Sequence, residues 1–223
     1  MKTAIVFGHS SGLGLEVTKS LLGKGFRVIG FARSKAPIKS ENLINVSVNL
    51  LDRGDTEKAI EEISSKYSSF EAFIFCAGVL TAHPIDRLDY PEMERIYKIN
   101  TFAPMIIESG LVDLFKKNGA DIVNVTSSSI FDYYPQFTEY STSKIALQKF
   151  TADLERELKA KACRVIEFCP SGFASNIYKT MTGDKINRDE SAQIKTEDLA
   201  SLLVHLLELP KKIEVSNIFV NRK

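Results

Sequence analysis

Tyr140 and Lys144 stand four residues apart in Tyr140-Ser141-Thr142-Ser143-Lys144, so on a helix they share one face. A nearby ammonium favours phenolate over phenol and lowers the pKa of a tyrosine. Such a tyrosine can exchange a proton with a substrate oxygen near neutral pH. Of the seven tyrosines, only Tyr140 has a lysine four positions on. Ser127, thirteen residues before it, lies in the polar end of the run Asn124-Val125-Thr126-Ser127-Ser128-Ser129.

A second group of residues suits phosphate. The apolar run Thr3–Phe7 opens into Gly8-His9-Ser10-Ser11-Gly12-Leu13-Gly14, a G-x-x-x-G-x-G spacing. Gly8 can take the positive φ of a sharp turn. Gly12 and Gly14 let a dinucleotide approach a helix start, where free N–H groups and the helix dipole favour pyrophosphate. The next apolar run ends Gly30-Phe31-Ala32-Arg33-Ser34. A carboxylate there would bond the ribose 2′-OH of NAD, whereas an arginine accommodates the 2′-phosphate of NADP. Ala32 takes the acidic place and Arg33 follows, so NADP(H) is expected in preference to NAD(H).

The elements that must position these residues alternate. Strands are expected at Thr3–Phe7, Arg27–Phe31, Leu43–Val48, Ala72–Phe75, Asp121–Val125, Arg164–Phe168 and Asn217–Val220. Several are continuously apolar, as in parallel strands buried on both faces. Helices are expected through Leu13, Val17 and Leu21, ended by Gly23 and Gly25, and through Ala59, Ile60 and Ile63. A third starts at Asp89-Tyr90-Pro91 and runs through Met93, Ile96 and Tyr97 towards Lys116. Ala146, Phe150, Leu154 and Leu158 line a fourth, and Leu199, Leu202, Leu203 and Leu206 a fifth. The alternation implies one domain over residues 1–223: an α/β doubly wound Rossmann-type sheet of about seven mostly parallel strands, helices on both faces. Ligands of such sheets bind beyond the carboxyl ends of the strands, where the residues above fall.

With those motifs in order, the chain resembles the short-chain dehydrogenase/reductase family over essentially its whole length. The resemblance rests on Gly8–Gly14, on Cys76-Ala77-Gly78 where the family usually has Asn-Asn-Ala-Gly, on Asn100, on Ser127 and on Tyr140-x-x-x-Lys144. Pro170-Ser171-Gly172-Phe173-Ala174-Ser175 stands where Pro-Gly-x-Val-x-Thr is usual. The resemblance implies that Tyr140 is the general acid/base and that Lys144 lowers its pKa and bonds the nicotinamide ribose. It implies that Ser127 bonds the substrate carbonyl oxygen, and that Asn100 holds a water relaying protons through Lys144. Cofactor contacts are expected from Gly8, Ser10, Ser11, Gly12, Leu13, Gly14, Arg33, Ser34, Asn49, Leu50, Cys76, Ala77, Gly78, Tyr140, Lys144, Pro170, Phe173 and Ser175. Asn49 would receive the adenine amino group where an aspartate is common. Two asparagines are missing after the fourth strand, and Ser175 keeps a hydroxyl in place of threonine. The implied activity is NADP(H)-dependent reduction of an aldehyde or ketone, with a homodimer or homotetramer as the assembly. The paired helices would start at Asp89 and carry Tyr140, with Met93, Ile96, Ala146 and Phe150 serving the contact or the sheet face. The substrate is unnamed: a short lid around 176–195 carries no motif. Ser129, Phe131, Tyr134, Phe137, Tyr178 and Met181 are expected to line its pocket.

Two other classes are weighed. A non-catalytic NADP sensor or scaffold would bind cofactor without turnover, and the intact Asn–Ser–Tyr–Lys set speaks against it. A sugar-nucleotide epimerase or dehydratase usually carries a larger C-terminal substrate region than the stretch after Ser175 provides.

Composition excludes more. With 44% hydrophobic and 26% charged residues over 223 positions, the chain can bury enough surface to fold. No apolar run approaches the roughly 20 residues of a membrane span. A formal charge of +1 gives no reason to expect nucleic acid or an anionic membrane as a partner. Cys76, Cys163 and Cys169 have neither metal-ligand spacing nor the number of a disulfide framework, and a cytoplasmic location is expected. His9, His83 and His205 form no metal set and are read as a partly exposed turn residue, a loop residue and a helix-surface residue.

Overall fold

The computed structural model describes residues 1–159, 162–173 and 193–222. Ser175, Tyr178, Met181 and nearly all of the expected lid lie outside the described residues. Among the described residues, seven strands form one sheet: β1 Thr3–Phe7, β2 Arg27–Ala32, β3 Leu43–Ser47, β4 Ala72–Phe75, β5 Asp121–Val125, β6 Arg164–Pro170 and β7 Asn217–Val220. Their order is β3-β2-β1-β4-β5-β6-β7, and every pairing is parallel. The order reverses between β1 and β4, which opens a crevice at their carboxyl ends.

Both faces are covered, as the continuous apolar runs require. On β1, Ala4 and Val6 pack towards α1 (Gly12–Gly23) and α6 (Thr196–Glu208). Ile5 and Phe7 pack towards α2 (Arg53–Lys66), α4 (Ala103–Asn118) and α5 (Thr138–Leu158). Beneath the crevice, Phe7 stacks on Phe31 with centroids 4.7 Å apart and on Phe75 at 5.5 Å. At the opposite sheet end Arg164 clamps Asp121 bidentately (Nε 3.1 Å, Nη2 2.8 Å) and donates to the Leu206 carbonyl near the end of α6. Among the described residues, no helix is long and apolar enough to cross a membrane, and no cluster of metal-ligating side chains forms.

Two expectations need correction. The helix begun at Asp89 is not continuous: α3 (Tyr90–Tyr97) passes through a π-turn, Lys98–Phe102, into α4. Pro104 explains the widening, because it has no N–H for the carbonyl of Asn100 and its ring crowds that carbonyl. On α5 the buried face runs through Ser143, Lys144, Leu147, Thr151, Leu154 and Leu158, leaving Ala146 and Phe150 on its flank. Ile96 is fully buried in the core, the second of the two roles left open for it.

Candidate active site

At the β1 turn, Gly8 has φ +83°, and a Cβ there would stand 2.7 Å from the Ala77 backbone nitrogen. A Cβ on Gly14 would meet the Gly8 carbonyl oxygen at 2.2 Å. These glycines therefore press α1, the β1 turn and the β4 turn together. Gly14 acts by that packing and does not line the cleft itself.

The cleft beyond the strand ends has a volume of about 370 Å³. It is lined by Gly8, Ser10, Ser11, Gly12 and Leu13 from the first turn, Arg33 and Ser34 from the second, Asn49 and Leu50 from the third, Cys76, Ala77 and Gly78 from the fourth, and Phe173. Pro170, expected here, is buried as the last residue of β6 and takes no part in the lining. Sequence reading missed Val79, Arg95, Ile99 and Val125, which also line it. Arg95 gave no signal, being one charged residue on an amphipathic helix, held by an ion pair to Glu92 at 2.7 Å. Among the described residues the lining contains two guanidinium groups and no carboxylate.

None of the four expected catalytic residues is among those that line the cleft; Asn100 and Lys144 stand just behind its Gly78 wall. The π-turn turns Asn100 inward, at 0% exposure. Its Oδ1 accepts from Val79 N at 2.9 Å, and its Nδ2 donates to Val79 O at 2.9 Å and Ser143 Oγ at 3.1 Å. Ser143 Oγ in turn donates to the Tyr140 carbonyl at 2.7 Å. Asn100 thus ties the chain after β4 to the helical turn that carries Tyr140.

Lys144 Nζ donates to the Val125 carbonyl at 2.8 Å and lies 6.0 Å from the centroid of the Tyr140 ring. Burial pushes the Lys144 ammonium down to about 8, because a charge is poorly solvated there. A Cβ at Gly78 would stand 3.5 Å from Lys144 Nζ and 3.6 Å from Asn100 Oδ1, so these groups converge. Ser127, half-buried beyond β5, caps the short 3₁₀ turn Ser128–Ile130. The first turn of α5 is anchored by Glu139, whose buried carboxylate accepts from Thr81 Oγ1 at 2.5 Å, His83 Nδ1 at 3.0 Å and Asp89 N at 3.1 Å. Burial alone would raise its pKa, but those hydrogen bonds outweigh it and hold the carboxyl below the usual range.

Of the expected pocket residues, Ser129 and Phe137 are buried and Tyr134 is half-buried, stacked obliquely on Phe137. Phe131 is largely exposed and meets Phe219 of β7 edge-on at 5.1 Å. Cys76 faces the cleft, and burial pushes its thiol up to about 12, so it is an uncharged lining group. His9 corrects another expectation: it is fully buried, not a partly exposed turn residue.

A parallel sheet with its glycine turn, crevice and inward lysine at the strand ends defines a Rossmann-type class. The particular family follows from the match of the short chain dehydrogenase model to residues 2–185. The chain belongs to that family of oxidoreductases. It is 23% identical to an uncharacterized oxidoreductase of Staphylococcus saprophyticus over 232 residues, covering 98% of this chain and 96% of the relative. Among solved structures it resembles an alcohol dehydrogenase of the archaeon Thermococcus sibiricus complexed with 5-hydroxy-NADP (TM-score 0.86, 18% identity, 99% and 96% of the two chains). It also resembles a 3-ketoacyl-(acyl-carrier-protein) reductase of Brucella melitensis complexed with NADH (TM-score 0.86, 23% identity, 98% and 96%).

Proposed function

We propose that this oxidoreductase reduces an aldehyde or ketone to an alcohol with NADPH, as one domain over residues 1–223. The carrying observation is the cleft: the Arg33 guanidinium, a glycine turn at a helix start and no carboxylate among its described lining residues. Such a lining favours a phosphate-rich dinucleotide, and Arg33 beyond β2 favours one with a 2′-phosphate. Ser10, Ser11, Gly12 and Leu13 would hold the pyrophosphate, Arg33 and Ser34 the 2′-phosphate, and Asn49 and Leu50 the adenine.

The cofactor supplies the hydride. Tyr140 gives its hydroxyl proton to the carbonyl oxygen as that oxygen gains alkoxide character. Ser127 donates a hydrogen bond to the same oxygen. Lys144 spends one N–H on Val125 O, and its remaining donors would bond the nicotinamide ribose. Asn100 fixes Val79 and the Tyr140 turn, and would hold the water that relays protons through Lys144.

The test is a panel of aldehydes and ketones with NADPH and with NADH. NADPH consumption with some member supports the reading. Cofactor binding with no turnover across a broad panel would replace it by the sensor reading. Arg33→Asp is expected to weaken NADPH binding about tenfold or more with little change for NADH, since it exchanges a phosphate partner for a like charge. Titration calorimetry checks this, and equal losses for both cofactors would remove Arg33 from the role.

We propose a homodimer or homotetramer as the assembly. Phe102 and Ile106, at the π-turn and on α4, are 51% and 46% exposed, and Ile145 on α5 is 45% exposed. Large apolar side chains left in water on neighbouring helices suit burial by a second copy. Light scattering at micromolar concentration is expected to give at least twice the 24.9 kDa chain mass. A monomer would reject the assembly.

A further inference from the structure

His9 sits in the glycine turn, yet it does not line the cleft. Its ring is buried against β2: a Cβ on Gly30 would stand 2.3 Å from ring atoms Cγ and Cδ2. The imidazole occupies the space that a side chain on Gly30 would need, so the two positions are matched. From there Nε2 lies 2.7 Å from Asn45 Oδ1 on β3. The same oxygen accepts from the backbone N–H of Ala36 at 3.0 Å. An amide oxygen only accepts, so the proton in the first bond is carried by the imidazole Nε2.

One oxygen thus joins the glycine turn to the far end of the Arg33–Ala36 turn. Both turns line the cleft, and Ser34 Oγ donates to Ser10 Oγ at 3.2 Å across their exposed side. Arg33 is exposed, and its long side chain can reach many places. Fixing the backbone on both sides of it, at β2 and at Ala36, restricts where the guanidinium stands relative to the pyrophosphate turn. A pre-placed charge loses less freedom when it binds its ligand.

We propose that His9, acting through Asn45, is a positioning residue that holds the Arg33–Ala36 turn in register with the glycine turn and so sets discrimination for a 2′-phosphate. The inference rests on the reading of Arg33 as the 2′-phosphate partner, and deepens it by naming what places that arginine.

The test measures binding of 2′,5′-ADP and of 5′-ADP by calorimetry to the full chain and to His9→Gln, His9→Asn and Asn45→Ala. A glutamine amide reaches about as far as Nε2 and can donate to Asn45; an asparagine amide cannot. His9→Asn and Asn45→Ala are expected to weaken 2′,5′-ADP about tenfold while changing 5′-ADP by less than about threefold. His9→Gln is expected to keep most of the parent preference. Asn45, half-buried near the sheet edge, supplies the test if His9→Asn does not fold. If the parent prefers 2′,5′-ADP and the variants keep that preference or lose both ligands equally, the inference is overturned and the cofactor reading stands. Equal loss in His9→Gln and His9→Asn overturns it as well. A parent that binds both probes equally overturns the cofactor reading, and this inference with it.

Discussion

Tyr140→Phe is expected to lower kcat by about 10²–10⁴-fold on any carbonyl the protein reduces, the usual contribution of a positioned proton transfer. The substitution keeps the ring that lies 6.0 Å from Lys144 Nζ, and removes only the hydroxyl. Hydride arrival at a carbonyl carbon leaves negative charge on the oxygen. Without the tyrosine proton that charge would rest on the proposed hydrogen bond from Ser127 alone. NADPH affinity is expected to stay nearly unchanged, because the proposed ribose contact comes chiefly from Lys144. Lys144→Met should lose both turnover and cofactor affinity, since it removes the donor to Val125 O and to the ribose together. Steady-state kinetics and cofactor titrations on the folded variants separate the two. Near-normal turnover in Tyr140→Phe would falsify the assignment of Tyr140 as the acid, whatever became of the fold.

The strands were legible because a parallel sheet covered on both faces writes itself as short, continuously apolar runs. Thr3–Phe7 and Asp121–Val125 end in the structure where their apolar character ends in the sequence. The glycine turn and the Tyr140–Lys144 pair were legible for a different reason, since each is local in the chain. What escaped reading depends on partners far away in sequence. Apolar spacing placed the buried face of α5 through Ala146 and Phe150, but Ser143 and Thr151 turn inward to meet Asn100 and Asn124. The burial of His9 requires Gly30 on another strand. Arg95 reaches the cleft from α3, whose placement against the strand ends is not written in its own residues. For the π-turn a signal did exist: Pro104 stands four residues after Asn100, where its missing N–H must break the helical ladder.

Glu108 makes the second large effect. It lies on α4 at 0% exposure, with Oε2 accepting from Asn124 Nδ2 at 3.1 Å and no cation beside it among the described residues. Its Oε1 and the Asn124 Oδ1 have no hydrogen-bond partner there. Burial accordingly pushes the carboxyl up from 4.5 to about 8, opposed only by the hydrogen bond from Asn124. The folded state therefore keeps a proton that the unfolded chain releases above pH 4.5. Between pH 4.5 and 8 the folded state binds more protons, so stability falls as pH rises, by about 1.4 kcal/mol per pH unit. Below 4.5 and above 8 this group contributes no slope. Over the full window the loss is on the order of 4–5 kcal/mol, a large share of the stability of an ordinary domain. Lys144 acts in a separate range. Its folded pKa is depressed from 10.5 to about 8, so its contribution raises stability with pH only above 8. Glu108→Gln keeps the shape, removes the charge and offers an amide donor to Asn124 Oδ1. Urea unfolding of the parent and the variant at several pH values from 5 to 8 isolates the effect, because every other titration is common to both. The variant is expected to gain steadily on the parent as pH rises, and to be clearly the more stable of the two at pH 8. Parallel stability curves would show that Glu108 does not carry a buried proton.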